Sequence, residues 1–260
     1  KYQFYDIILC DYNLGDGKNG QQFLEELKLT KRLKHTHLFI MITAETAKEV
    51  VLGTREYEPD GYIAKPLTRP VLEQRLNQLI RQQRDLKHIN KEIDLKNYSK
   101  AISLCHILIE ENTRYKSWCF QTLGKLYLDI GDSINAVKIY KNVLAAREIP
   151  WAMLGMGLAL EQEQKYEQAV KSFESTIQFN PNIIEAYDYL SRCHLKLGRK
   201  KEAQKTLQDA VKLSPRMIPR QEKLGNLSQK NNDVQSATNA YRHVVKYGVN
   251  SIHDKADNYL

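Results

Sequence analysis

Asp11, Thr43 and Lys65 each stand at the end of a short apolar run. A carboxylate such as that of Asp11 can act as a nucleophile toward a phosphoryl group when a divalent cation shields its charge. The hydroxyl of Thr43 and the ammonium of Lys65 would supply the donor and the positive charge that a bound phosphoryl group needs. If the fold brings the three side chains together, they predict a site that accepts a phosphoryl group.

The elements around these residues must position them. The three apolar runs favour β-strands, and the segments between them have helical patterns. The predicted strands are 6–10, 38–42 and 61–64, and the predicted helices are 21–33, 47–57 and one after residue 68. This alternation predicts a parallel sheet, in which the carboxyl ends of neighbouring strands meet at one edge. Taken singly, Asp11 could end a turn, Thr43 could cap a helix and Lys65 could be a solvated charge; their shared position favours a site.

The residues around these positions resemble bacterial response-regulator receiver domains over residues 1–84. The motifs are Asp11-Tyr12-Asn13-Leu14 with Gly20 downstream, Met41-Ile42-Thr43-Ala44, and Asp60-Gly61-Tyr62-Ile63-Ala64-Lys65-Pro66-Leu67. The resemblance implies a flavodoxin-like parallel α/β fold that lacks its first strands. It also implies a cis peptide bond between Lys65 and Pro66.

The same resemblance assigns roles to the site residues. It implies that Asp11 is the phosphoacceptor and that Thr43, the amide of Ala44 and Lys65 bind the phosphoryl oxygens. Thr43 and Tyr62 would form the switch, in which the aromatic ring turns inward when the threonine moves. The expected phosphoryl donor is a sensor histidine kinase or a phosphotransfer protein.

The resemblance further implies a Mg²⁺ ion bound by Asp11 and the backbone carbonyl of Asn13. Receivers carry an acidic pair of metal ligands well before the phosphoacceptor, whereas only ten residues precede Asp11. We therefore expect a longer protein that supplies the pair and binds Mg²⁺, and no efficient metal binding by this fragment. The alternative is a receiver remnant that no longer signals by phosphorylation.

The rest of the chain contains a repeat of about 34 residues. Its most regular markers are alanines, at 101, 136, 169, 203 and 237. This period and the accompanying Leu-Gly and aromatic positions resemble tetratricopeptide repeats, in which paired helices stack into a superhelix. We predict an all-α repeat array over 85–260 with about five helical hairpins, the first of them degenerate. The alanines, glycines and most aromatic residues then serve packing.

By analogy with the repeat family, partner binding falls to side chains of the inner helices. The candidates are Trp118, Gln121, Lys125, Trp151, Leu154, Leu158, Glu185, Asp188 and Arg192. An exposed stripe of Trp151, Leu154 and Leu158 would form a groove for a protein or peptide. The alternative is that a neighbouring helix or the terminal segment covers this stripe.

No Gly or Pro occurs between Pro70 and Gly124, and leucines keep helical phase across the domain boundary. This pattern predicts that the last receiver helix runs almost unbroken into the first repeat and couples the two parts rigidly. The same phase would permit a dimeric coiled coil, although Gln83 and Asn90 would be polar breaks in its seam.

Composition and charge narrow the classes of protein to which the chain could belong. No apolar stretch approaches the roughly 20 residues that a membrane-spanning helix needs. The four cysteines are far apart, without metal spacing, and indicate reduced thiols in a cytoplasmic protein.

The net charge is +8, and residues 192–223 carry ten basic and three acidic side chains. That basic run lacks aromatic interleaving or a nucleic-acid motif, so we expect a solvated helix surface rather than nucleic-acid binding.

These features predict a two-component response regulator: a receiver accepts a phosphoryl group at Asp11 and controls protein binding by the repeat array. We do not expect an enzyme as its output. One alternative is a constitutive repeat scaffold with a non-signalling receiver remnant. The other is a regulator associated with nucleic acid through the basic patch 192–223.

Overall fold

The computed structural model describes residues 5–44, 52–53 and 56–254. An α/β region at the start of the chain is followed by a helical array. The predicted helix over 47–57 lies mostly outside the described residues, although Leu52, Gly53 and Glu56 have helical backbone. This order of elements confirms the predicted fold class.

The α/β region is built on three parallel strands that pair in sequence order. They are β1 (Ile7–Asp11), β2 (Leu38–Thr43) and β3 (Gly61–Ala64). Asp11 is in register with Ile42, and Thr43 is in register with Ala64. The carboxyl ends of all three strands therefore meet at one edge, as the sequence predicts.

Helix α1 (Gly20–Leu29) crosses over between β1 and β2. Its Leu24 is fully buried and packs in one core with Phe39 of β2. A side chain at Gly20 would place its Cβ 2.3 Å from the carbonyl oxygen of Asp11, so only glycine fits there. This close approach lets the helix begin directly beside the end of β1.

Strand β1 leaves one side of the sheet open. Ile8 and Cys10 face the core, whereas Ile7 and Leu9 on the opposite face are exposed. Within the described part of the chain, β1 pairs only with β2. An edge of unpaired backbone groups and an apolar face therefore remain accessible at the start of the sheet.

The helices that follow β3 have short connections. They are α2 (Arg69–Asp85), α3 (Lys87–Asp94), α4 (Tyr98–Glu110), α5 (Lys116–Asp129), α6 (Ser133–Ala146), α7 (Pro150–Gln162), α8 (Tyr166–Phe179), α9 (Ile184–Lys196), α10 (Lys200–Leu213), α11 (Ile218–Lys230) and α12 (Val234–Gly248). Among the described residues, none of the helices has the length and apolar character needed to cross a bilayer.

The almost unbroken helix predicted across the domain boundary is interrupted at one residue. Helix α2 ends at Asp85 and α3 begins at Lys87, with Leu86 between them. Leu86 is buried in the core of the first hairpin beside Ile89 and Cys105, whereas none of the residues of α2 is buried. The chain turns at Leu86 because that side chain belongs to the array.

Helices α3 to α12 pair as five consecutive hairpins, and each predicted marker alanine is buried. Small residues allow close contact between neighbouring helices. A Cβ at Gly124 would lie 2.5 Å from the ring of Tyr140, and a Cβ at Gly155 would lie 2.3 Å from the same ring. One tyrosine thus fills the space between three helices, and a side chain at either glycine would clash with its ring.

The α/β region lies against the first helices of the hairpins and contacts both ends of the array. Asp94 of α3 accepts hydrogen bonds from the backbone amides of His35 and Thr36, at 2.7 and 3.1 Å. At the other end, Arg220 of α11 pairs with Glu56. We call the side chains of α5, α7, α9 and α11 that face the α/β region the inner face.

Candidate functional site

Asp11 and Lys65 form an ion pair across the carboxyl edge of the sheet. Asp11 ends β1, Lys65 follows β3, and the Lys65 Nζ donates a hydrogen bond to Asp11 Oδ2. The peptide bond between Lys65 and Pro66 is cis, as the resemblance implies. Both charged side chains are partly exposed, so a phosphoryl donor can reach the carboxylate.

The surroundings of Asp11 favour its charged form. The hydrogen bond from Lys65 lowers the pKa of the Asp11 carboxyl most strongly, and the backbone amide of Asn13 contributes by donating to Oδ1 at 3.1 Å. Asp11 is therefore ionised at neutral pH, which is the state that a nucleophilic carboxylate requires.

Thr43 and Ala44 lie at the same edge. Thr43 ends β2 and is buried, and its carbonyl oxygen accepts a hydrogen bond from the backbone amide of Lys65 at 2.7 Å. Ala44 follows it and is exposed. The fold thus brings the ends of β1, β2 and β3 together, with Asp11 and Lys65 in contact and Thr43 at the end of the strand between theirs.

The residues present do not fit a Mg²⁺ site by themselves. Magnesium is held through several oxygen ligands in octahedral geometry. Asp11 offers a carboxylate, Asn13 would offer a backbone carbonyl, and Lys65 already occupies one oxygen of Asp11. Among the described residues, no three His, Cys, Asp or Glu side chains cluster in a way that could hold a metal ion.

Tyr62 connects the sheet to the array. It lies on β3 and packs against the core that contains Cys10 and Phe39. It also lines a cavity of about 660 Å³ between the α/β region and α5. The residue that the resemblance assigns as the switch aromatic therefore borders both the sheet and the inner face.

The predicted groove residues of α5 face the α/β region. Trp118, Gln121 and Lys125 line the same cavity as Tyr62. Lys125 Nζ lies 3.3 Å from Glu58 Oε1. The groove at this end of the array is therefore closed on one side by the chain's own α/β region.

The predicted stripe on α7 is divided. Trp151 and Leu154 line a second cavity of about 500 Å³. Leu52 and Glu56 of the α/β region line its other side. Leu158 packs within the array core around Phe173 instead. Of the two possibilities for this stripe, the structure favours the covered one: the α/β region faces Trp151 and Leu154, and Leu158 packs in the array core.

Arg192 makes contacts within the array. Its guanidinium pairs with both oxygens of the Glu161 carboxylate and lies 4.8 Å from the centre of the Tyr189 ring. The side chain is still 52% exposed, so a partner-binding role for Arg192 stays a prediction.

A buried ion pair between the two parts was not predicted. The side chains of Arg220 and Glu56 are 1% and 5% exposed and form an ion pair. Asp188, a predicted groove residue, holds the same guanidinium through Nε at 3.0 Å and Nη2 at 2.6 Å. Burial disfavours the charge of Arg220, but the hydrogen bonds to Asp188 and the charge of Glu56 outweigh burial and raise its pKa. The only sequence signal was a basic residue on an inner helix, within the basic run.

Glu185, another predicted groove residue, stands beside this ion pair. Burial raises the pKa of its carboxyl to about 7, and the charges of Glu56 and Glu58 act in the same direction. All three carboxylates line the second cavity. The inner face at this end therefore holds more acidic groups than Arg220 neutralises.

The basic run 192–223 is less available than the sequence suggests. Arg220 is buried, Arg192 is paired with Glu161, and Arg199 lies 3.6 Å from Glu167. Arg216 donates to the hydroxyl of Tyr12 at 3.3 Å. Much of the positive charge thus stabilises the array and its contact with the α/β region, which weakens the nucleic-acid alternative.

Comparison with known proteins finds separate relatives for the two parts of the chain. Residues 160–224 match the tetratricopeptide-repeat family. The chain is 30% identical over 78 residues to the chemotaxis protein CheY-3 of Vibrio cholerae, which is 30% of this chain and 58% of that protein. It is 27% identical over 78 residues to the chemotaxis protein CheY of Pseudomonas aeruginosa, with 30% of this chain and 61% of that protein covered. The chain thus spans about three fifths of the length of these curated relatives.

Solved structures match the helical array. The crystal structure of MamA has a TM-score of 0.53 at 17% identity, covering 62% of this chain and 94% of that one. TTC0263, a thermophilic repeat protein of Thermus thermophilus, has a TM-score of 0.51 at 16% identity, covering 68% and 94%. At these identities the likeness concerns the fold alone. The chain therefore joins a receiver-like α/β region to an array of tetratricopeptide repeats.

Proposed function

We propose that this chain acts in two-component signalling, with Asp11 as the phosphoacceptor and the repeat array as the protein-binding output. The donor is a sensor histidine kinase or a phosphotransfer protein in the cytoplasm. One observation carries the proposal: the α/β region that presents Asp11 to Lys65 also contacts the inner face through Glu56, and its Tyr62 borders the cavity beside α5. A change at the sheet edge can therefore act on the binding surface directly.

The proposed chemistry is a phosphoryl transfer. An oxygen of the ionised Asp11 carboxylate attacks the phosphorus of a phosphohistidine, and an acyl phosphate forms as the phosphorus–nitrogen bond breaks. The imidazole keeps the electron pair of that bond and takes up a proton. Lys65 then shifts its hydrogen bond from the free carboxylate to a phosphoryl oxygen, while the hydroxyl of Thr43 is the expected second donor.

The proposed output is a change in contacts rather than catalysis of a further reaction. A modification shifts an equilibrium only when it interacts differently with two states. When Lys65 leaves Asp11, the contacts at the carboxyl end of β3 change. Tyr62 lies on that strand and borders the cavity between the α/β region and α5. We infer that phosphorylation changes how firmly the α/β region holds the inner face.

Mg²⁺ belongs to this proposal only for a longer chain that carries the acidic pair, because the described residues do not form the site. The test is phosphoryl uptake from acetyl phosphate with Mg²⁺ by a chain extended upstream to include that pair. The proposal predicts one phosphoryl group on the extended chain and none on its Asp11→Asn variant. Uptake that persists in the variant would reject Asp11 as the acceptor.

A constitutive scaffold is the second candidate, and the open edge of β1 favours it. A three-stranded sheet whose described residues form no metal site could serve only to cap the inner face. In that case the extended chain would take up no phosphoryl group, and its partner binding would not depend on a phosphoryl donor.

A further inference from the structure

Asp188 prepares Arg220 to receive a second carboxylate. It binds the Nε and Nη2 side of the guanidinium, at 3.0 and 2.6 Å. The other edge of the guanidinium, formed by Nη1 and Nη2, is left for a carboxylate from outside the array, and Glu56 occupies it. A planar guanidinium fixed in this way selects a carboxylate in one orientation.

An apolar contact site lies next to Arg220. Leu52 is buried against Ile184 of α9 and Ala210 of α10. Leu52 and Glu56 are four residues apart in sequence, and each has helical backbone. The inner face therefore holds a leucine and a carboxylate from outside the array at two adjacent points.

From this arrangement we propose that the inner face around Ile184 and Arg220 is a docking site for a helical partner segment with a leucine and, four residues later, a glutamate. The chain's own Leu52 and Glu56 occupy the site in the resting protein. This proposal rests on the binding role proposed for the array and names the chemistry of its partner. Recognition of an amphipathic helix in a groove through anchors one turn apart is a common mode of peptide binding.

Acidic side chains around this site allow a partner helix to displace the chain's own Leu52 and Glu56. The segment that brings Glu56 to Arg220 also brings Glu58 to the cavity lined by Glu185. Like charges near each other in a partly buried site repel, and burial together with these neighbours raises the pKa of Glu185. A partner helix with a neutral residue in place of Glu58 avoids that repulsion. The cavity of about 500 Å³ beside Leu52 also leaves room for larger apolar side chains.

A peptide with the sequence of residues 46–58 tests the proposal on the full chain. Its affinity is measured by fluorescence anisotropy for the wild-type chain and for a Leu52→Ser/Glu56→Gln chain, whose site is open. We expect the open chain to bind the peptide about tenfold or more tightly than the wild type, because no internal segment competes. No phosphoryl donor is present, so the outcome is independent of Asp11.

Two peptide variants provide a matched control. Glu56→Gln in the peptide should weaken binding to the open chain about tenfold or more, because the charge-assisted hydrogen bonds to Arg220 are lost. Glu58→Gln should weaken binding far less than Glu56→Gln, because Glu58 is exposed and its pairing with Lys125 is offset by repulsion from Glu185. Equal affinity for the wild-type and open chains, or equal loss from both peptide variants, would overturn the proposal.

A folding control keeps the test decisive. Circular dichroism melts compare the open chain with the wild type. If the double variant loses its cooperative transition, the chain with Glu56→Gln alone replaces it, since that chain keeps Leu52 in its apolar contact site. The single variant should give the same ranking of peptides with a smaller gain over the wild type, and a reversed ranking would again overturn the proposal.

Discussion

Arg220 and Glu56 form a nearly fully buried ion pair between the repeat array and the α/β region, 164 residues apart in sequence. A buried charge without its partner is costly, because neither water nor a counter-charge compensates it. This pair therefore makes the position of the α/β region on the array strongly dependent on two side chains. Asp188 makes the arrangement asymmetric, since it keeps Arg220 partly neutralised when Glu56 leaves.

Arg220→Gln should destabilise the chain by about 3–5 kcal/mol, because it leaves Glu56 buried beside Asp188 without a positive charge. Urea unfolding followed by circular dichroism measures this loss. Arg242→Gln is the matched control, since Arg242 is exposed on α12 and should change stability by less than about 0.5 kcal/mol. Equal effects of the two substitutions would show that the ion pair does not hold the two parts together.

Glu185 should make stability depend on pH. Its folded-state pKa, about 7, lies above its ordinary value of 4.5, so the folded state binds the proton more tightly than the unfolded state. The resulting stabilisation is present below about pH 4.5 and is lost as the pH rises through 7.

The substitution Glu185→Gln isolates this effect. It removes the titrating group, so the variant should gain about 1–3 kcal/mol over the wild type at pH 8 and much less at pH 5. Unfolding free energies at the two pH values test this difference. A gain of the same size at both values would mean that burial of Glu185 imposes no cost linked to its charge.

The array and the sheet were predictable because their signals are local and periodic. The alanines recur about every 34 residues, and each strand is an apolar run that ends at a polar residue. The contact of Glu56 with Arg220 was not predictable, because no pattern links two charges so far apart in sequence. The repeat pattern predicts an inner face but does not reveal that the same chain covers it.

The break at Leu86 escaped prediction for a different reason. Leu86 keeps helical phase with the leucines of α2, and no Gly or Pro marks a boundary. Whether Leu86 packs against the α/β region or in the array depends on tertiary contacts. It packs in the core of the first hairpin of the array. Periodicity alone cannot distinguish one long helix from two that share a phase.

The repeat packing predicts a sharp contrast on α10. Ala203 is fully buried beside Leu207 and Leu224, whereas Lys200 is exposed. Ala203→Glu should cost several kcal/mol, because it buries a charge where two helices touch. Lys200→Glu should change stability by about 0.5 kcal/mol or less. Thermal melts that rank the two variants in the opposite order would show that the repeat phase is wrong.

The break at Leu86 also changes the expected route of coupling. A Gly-Gly pair in place of Arg84 and Asp85 would decouple the domains if a rigid helix carried the signal. Because α2 already ends there and contacts at Asp94 and Arg220 join the parts directly, we expect the phosphorylation dependence of partner binding to persist. Peptide anisotropy on the upstream-extended chain, with and without acetyl phosphate, measures it. Loss of that dependence would assign the coupling to the helix.

The central claim is that Asp11 accepts the phosphoryl group that controls the array. Intact-mass spectrometry after incubation with acetyl phosphate and Mg²⁺ tests it most directly, on the upstream-extended chain, its Asp11→Asn variant and the 260-residue chain. We predict one added phosphoryl group on the extended chain, none on the variant and little on the 260-residue chain. An extended chain that stays unmodified, or a variant that is modified equally, would contradict the account.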